Sequence, residues 1–106
     1  MTIYVRVAAV GEVPAGGRKR VEVDGIEVAV FNVDNSSYYA VEDICTHDGG
    51  PLADGEVIST YEIECPRHGA RFDMRSGEAL SMPAFEPIET FEVVVRDGEI
   101  LLAVDW

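Results

Sequence analysis

The chain contains two cysteines and two histidines, and all four lie in two short segments. The first segment is Cys45-x-His47 in "CTHDGGPLADG", and the second is Cys65-x-x-His68 in "CPRHGARFD". Thiolate sulfur and imidazole nitrogen both bind metals, so these four residues are enough to complete a metal site. A Cys45–Cys65 disulfide is the simpler alternative, but it would leave both histidines without a role.

Two kinds of metal site fit four such ligands. A structural zinc site would place all four around one ion, although zinc sites usually gather similar ligands at each turn of the chain. Here each segment offers one thiolate and one imidazole instead. That arrangement suits two adjacent metals, one held by both cysteines and the other by both histidines, as in a [2Fe-2S] centre where histidine replaces cysteine on one iron.

The residues around these ligands resemble the Rieske family of [2Fe-2S] proteins from about residue 38 to the end of the chain. The family pattern is Cys-x-His, then a gap, then Cys-x-x-His, and "MPA" at 82–84 resembles the proline-containing loop that covers the cluster. The flanking residues typical of the family are also present, namely Gly49, Gly50, Pro51, Leu52, Pro66 and Gly69.

This resemblance implies one [2Fe-2S] cluster and a residue for each ligand position. Cys45 and Cys65 would hold the inner iron, and His47 and His68 would hold the outer iron at the tip of the molecule. Because two thiolates leave an oxidised cluster neutral rather than anionic, histidine ligation raises the reduction potential.

Four positions indicate which kind of Rieske protein this is. Rieske subunits of quinol-oxidising cytochrome complexes carry an extra cysteine in each of the two segments, where this chain has Gly50 and Arg67. They also carry a serine and a tyrosine hydroxyl near the cluster, where this chain has Ala70 and Phe72. Hydrogen-bond donors to sulfur stabilise the reduced cluster, so their loss predicts a low potential for a Rieske centre.

The hydrophobic pattern predicts an all-β fold. Apolar and polar residues alternate on both sides of Asp24-Gly25 and of Asp97-Gly98, which is a strong hairpin signal. No segment shows helical periodicity with caps. We therefore expect an antiparallel sandwich of small sheets, Rieske-like, with a cluster-binding tip made of two loops that follow strand ends.

Length and composition limit the organisation and the partners. The 106 residues predict a single domain over 1–106, with the cluster-binding part at about 42–86. The net charge of −12 argues against nucleic-acid and anionic-membrane partners. No signal segment or membrane-spanning run is apparent, so we expect a cytoplasmic protein, and nothing requires more than a monomer.

The resemblance implies an electron carrier rather than an enzyme. Soluble Rieske ferredoxins carry single electrons from an NAD(P)H-dependent flavin reductase to the terminal oxygenase of an aromatic-ring dioxygenase system. A small Rieske subunit of a larger enzyme such as nitrite reductase is the alternative, and a zinc-stabilised interaction module is a third. Partners would meet the His47/His68 tip, where charges of both signs are expected from Arg67, Arg71, Arg75, Asp48, Asp54 and Glu56.

Overall fold

Three small antiparallel sheets make up the fold in the computed structural model, which describes residues 1–35, 37–45, 50–66, 69–82 and 86–105. The strands are β1 (Thr2–Ala9), β2 (Arg18–Val23), β3 (Ile26–Asn32), β4 (Tyr38–Glu42), β5 (Glu56–Val57), β6 (Glu62–Glu64), β7 (Arg71–Asp73), β8 (Thr90–Phe91), β9 (Val93–Arg96) and β10 (Glu99–Asp105). The sheet orders are β1-β10-β9, β2-β3-β4-β8 and β5-β6-β7.

Both predicted hairpins are present. Asp24 and Gly25 join β2 to β3 with φ angles of 54° and 82°, and Asp97 and Gly98 join β9 to β10 with 52° and 76°. Two successive residues with positive φ form a turn whose twist matches that of the flanking strands, which is why Asp-Gly favours hairpins.

Strand β3 is buried on both faces and separates two apolar clusters. Val28 and Val30 face a cluster shared with β1 and β10, while Ala29 and Phe31 face a second cluster that contains both cysteines. Alternate residues of a strand point to opposite sides of its sheet, so one strand contributes to both clusters. The second cluster is the one that supports the Cys/His segments.

The predicted all-β class and the small antiparallel sheets are confirmed. Within the described ranges, the helical elements are two 3-10 helices of three residues each, Val10–Glu12 and Leu52–Asp54. No helix in these ranges is long and apolar enough to cross a membrane.

Candidate metal centre

The two cysteines lie just beyond strand ends, as predicted. Cys45 follows β4 and Cys65 follows β6 directly, and their exposed fractions are 0% and 1%. Both belong to the apolar cluster on the Phe31 side of β3. The fold therefore brings two thiols, twenty positions apart in sequence, into one water-excluded region.

Each Cys/His segment is bracketed by the same backbone hydrogen bond. The N–H of Cys45 donates to the carbonyl of Gly50 over 2.7 Å, and the N–H of Cys65 donates to the carbonyl of Ala70 over 2.7 Å. We call residues 45–50 the first segment and residues 65–70 the second segment. Near the end of the second, Gly69 has a φ of +74°, a conformation that favours glycine. The backbone hydrogen bond from each cysteine thus spans the same number of residues.

Several other predicted site residues lie outside the described part of the chain. These are the two histidine ligands, two charged residues expected at the tip, one flanking glycine and two residues of the proline-containing loop, namely His47, His68, Asp48, Arg67, Gly49, Pro83 and Ala84. Among the described residues, no group of three or more histidine, cysteine or acidic side chains is placed to hold a metal ion. The described residues therefore include only the cysteine half of the predicted site, and the ligand assignment stays a prediction.

That half fits a [2Fe-2S] cluster. Cys45 and Cys65, both in the described ranges, are not joined by a disulfide although they share one apolar cluster. Two such thiols supply the two sulfur ligands that an iron of this cluster type requires.

The residues expected at the hydroxyl positions are part of the same cluster. Ala70 and Phe72 are each 0% exposed, and Leu52 is buried beside them. The surroundings of the cysteines are thus apolar at positions 70 and 72. These are the positions where Rieske subunits of cytochrome complexes were expected to carry hydroxyl donors. A dry site without these donors favours the less charged, oxidised form of a cluster.

Described salt bridges pair three of the six charged residues that were expected at the tip. Arg71 pairs with Glu64 over 3.1 Å, Arg75 pairs with Asp73 over 2.9 Å, and Asp54 pairs with an arginine of β2 over 2.7 Å. The hydrogen bond from Arg75 holds the pKa of Asp73 below its usual value, with burial acting in the opposite direction. Asp54, Arg71 and Arg75 thus have partners within the chain, and the mixed-sign docking surface stays a prediction because Arg67 and Asp48 lie outside the described residues.

A side-chain network beside the first segment was not predicted from the sequence. The carboxylate of Asp43, two residues before Cys45, accepts hydrogen bonds from the Ala53 N–H (2.7 Å) and from Arg20 Nε (3.0 Å). Arg18 donates to the carbonyls of Ala53 and Gly55. The only signal in the sequence is the spacing of two arginines on one strand, which does not reveal their partners.

Comparison with known proteins settles the family. The model of the Rieske [2Fe-2S] domain matches residues 3–92. The chain belongs to this family. One [2Fe-2S] cluster is the cofactor of a Rieske domain, so the family and cofactor predicted from the sequence are confirmed.

Several similar proteins are ferredoxins of dioxygenase systems. The 3-phenylpropionate/cinnamic acid dioxygenase ferredoxin subunit of Photorhabdus laumondii is 39% identical over 92% of this chain and 91% of its own length. The ferredoxin of carbazole 1,9a-dioxygenase from Nocardioides aromaticivorans is 38% identical with a TM-score of 0.85, covering 93% of this chain and 95% of that one. A structure described as a complex of reduced oxygenase and oxidized ferredoxin in carbazole 1,9a-dioxygenase contains a chain 36% identical to this one, with a TM-score of 0.84, covering 95% of this chain and 93% of that one.

A chain described as an NADH-dependent nitrite reductase small subunit, from Mycobacterium tuberculosis, has a TM-score of 0.89 at 21% identity, with 100% of this chain and 98% of that chain covered. At this level of identity the likeness shows the shared fold alone.

Proposed function

We propose that this chain is the ferredoxin component of a ring-hydroxylating dioxygenase system and delivers single electrons to its terminal oxygenase. The observation that carries the proposal is the Rieske family match together with a 39% identical relative that is named a dioxygenase ferredoxin subunit. The predicted role of electron carrier, rather than catalyst, agrees with the names of these relatives. A flavin-dependent NAD(P)H reductase is the proposed electron source, and the aromatic substrate class follows from the relatives' names.

Four ligands are proposed for the cluster, which accepts and releases one electron when bound. Cys45 and Cys65 would hold one iron, and His47 and His68 would hold the other. The buried, apolar surroundings of both cysteines support this assignment, because they keep water away from the iron–sulfur bonds. We further propose that residues 1–106 form one domain and that the histidine side of the site meets the partners.

The apolar positions predict where the reduction potential lies. Rieske centres span about −150 to +300 mV, and hydrogen bonds to the sulfurs raise the value. Because Ala70 and Phe72 are buried and have no hydroxyl, we expect a potential near the lower end of that range. Phe72→Tyr should raise the potential if its hydroxyl reaches a cluster sulfur. Phe91→Tyr, on β8, is a suitable control because it lies in the other apolar cluster.

A reconstituted electron chain tests the proposal. The purified protein would be mixed with NADH, the reductase and the terminal oxygenase of a ring-hydroxylating system, and product would be measured with and without this chain. We expect red-brown protein that takes up a single electron and is required for turnover, and Cys45→Ser should abolish both properties. A colourless protein that retains zinc would contradict the proposal and support the interaction module.

The nitrite reductase alternative is distinguished by association. A small subunit of a larger enzyme should purify with its large subunit, whereas a ferredoxin should purify alone and exchange electrons during brief encounters. Co-purification of a large subunit with nitrite-reducing activity would favour the alternative.

A further inference from the structure

The two Cys/His segments are closed at their bases in different ways. The second segment is the loop of a β-hairpin, because β6 and β7 pair on either side of it with Glu64 opposite Arg71. The first segment runs from β4 to β5, and these strands belong to different sheets. Among the described strands, pairing therefore holds the two ends of the second segment together but does not hold the two ends of the first.

Asp43 joins the two ends of the first segment instead. Its side chain is 1% exposed, and one carboxylate oxygen accepts the N–H of Ala53 over 2.7 Å. Its own backbone N–H donates to the carbonyl of Glu27 over 2.8 Å, which ties residue 43 to the start of β3. Residue 43 precedes the first segment and residue 53 follows it, so the hydrogen bond between them holds the two ends of that segment together. In the second segment, the pairing of β6 with β7 holds the two ends together.

Two arginines of β2 hold the same junction from outside. Arg18 and Arg20 are two residues apart, and alternate residues of a strand share a face. Arg20 Nε donates to Asp43 over 3.0 Å, and its terminal nitrogen lies 2.7 Å from Asp54. Arg18 donates to the carbonyl of Ala53 over 3.0 Å and also to that of Gly55, while its guanidinium lies 5.0 Å from the Phe31 ring centre.

We propose that Asp43, Arg18 and Arg20 are positioning residues that close the first segment and keep Cys45 in place for the cluster. This inference rests on the proposed cysteine ligands. Exposed ion pairs usually contribute little to stability, but the carboxylate here is buried and satisfies a backbone N–H as well. Opening this junction would free one of the two cysteine-bearing segments, whereas the other would stay closed by its strands.

Matched variants separate this role from a general effect on stability. Asp43→Asn and Arg20→Gln each remove a charge from the junction, and Arg20→Lys tests rescue by a side chain of the same charge. Glu64→Gln is the control, because it removes the ion pair with Arg71 at the base of the second segment while the hairpin pairing remains.

Two measurements on the cluster-loaded protein provide the test. The first is the rate at which visible absorbance is lost in excess iron chelator, and the second is amide hydrogen exchange followed by mass spectrometry. We expect Asp43→Asn and Arg20→Gln to lose the cluster at least about tenfold faster than wild type, which corresponds to about 1.4 kcal/mol. Exchange should increase over residues 43–55 and stay unchanged over 62–73.

Each outcome bears on the inference. Partial rescue by Arg20→Lys and wild-type behaviour of Glu64→Gln would support it. Equal loss rates for Glu64→Gln and the junction variants would overturn it, as would exchange that increases throughout the chain. A wild-type chain that never binds iron would instead overturn the proposed function, so the two failures are distinguishable.

Discussion

Gly55 is the position where an added methyl group should reveal how closely the two cysteine-bearing regions pack. A Cβ atom built on Gly55 would lie 2.1 Å from the carbonyl oxygen of Glu64, the residue before Cys65. The backbone angles of Gly55, φ −79° and ψ 173°, suit any residue. Glycine is therefore required here for space alone, and Gly55→Ala tests a steric contact without backbone strain.

The expected cost follows from two opposing effects. Replacing glycine by alanine where the backbone allows it stabilises a protein by about 0.4–1 kcal/mol, because the unfolded chain loses freedom. Overpacking a rigid contact costs about 1–3 kcal/mol. Since the obstructing atom belongs to the backbone and real Cβ atoms do not approach so closely, the steric cost should dominate. We expect a net loss of about 1–2 kcal/mol for Gly55→Ala.

Urea unfolding of the cluster-loaded protein, followed by far-ultraviolet circular dichroism, is the assay. For small proteins the free energy of unfolding falls by about 1–3 kcal/mol per molar urea, and at a slope of about 2 the midpoint should fall by about 0.5–1 M. Gly11→Ala is the matched control, because nothing lies within 4 Å of its added Cβ and its φ is not positive. An unchanged midpoint for Gly55→Ala would refute the close packing at this contact.

Three further predictions concern the turns and the buried polar residues. Gly77→Ala should destabilise more than Gly98→Ala, because both have positive φ but only at Gly77 would the added Cβ meet a backbone carbonyl, at 2.1 Å; urea midpoints compare them. Asp73→Asn should lower stability at neutral pH, and the difference from wild type should shrink as pH falls below about 4, where an unfolded aspartate becomes protonated. The sign follows because Arg75 lowers the pKa of Asp73 in the folded protein. Asn32→Ala should cost about 1–3 kcal/mol, because this side chain, 1% exposed, donates to the buried carbonyl of Val13 and also accepts the N–H of Asn35.

Each of these predictions has a result that would contradict it. Equal midpoints for the two glycine variants would mean that backbone strain, not space, decides the cost. A pH-independent difference for Asp73→Asn would show that the carboxylate is not stabilised by its arginine. A neutral Asn32→Ala would show that water replaces its hydrogen bonds.

Local signals made the hairpins and the cysteine loops predictable. An Asp-Gly pair between alternating strands determines its own turn, and Cys45 and Cys65 sit in motifs with characteristic spacing. Strands β5 and β8 have two residues each and no readable alternation, so they depend on their neighbours in the sheet. Local sequence patterns predict turns and motifs that depend on a few neighbouring residues. Short strands such as β5 and β8 depend on tertiary contacts and are not predicted in this way.

The same limit applies to the site. The sequence cannot distinguish Gly55 from the other glycines, because the obstructing carbonyl of Glu64 comes from a strand that follows it. Nor can it pair Arg20 with Asp43 and Asp54, which are more than twenty positions away. Ion pairs between residues far apart in sequence can be identified only once the three-dimensional arrangement of the strands is known.

The arginine network also changes how the acidic composition should be interpreted. Of the eight basic residues in the sequence, six make described contacts with carboxylates or carbonyls inside the chain, namely Arg6, Arg18, Lys19, Arg20, Arg71 and Arg75. Most of these contacts are ion pairs that neutralise charges of both signs, so the field outside the chain follows from the net charge of −12. A basic partner surface should therefore attract the chain over distances comparable with the Debye length, about 10 Å at 0.1 M salt.

Electron delivery to a terminal oxygenase at low protein concentration should slow as the salt concentration rises, while the rate at saturating protein concentration should stay unchanged. A delivery rate that is independent of salt would mean that short-range packing alone selects the partner.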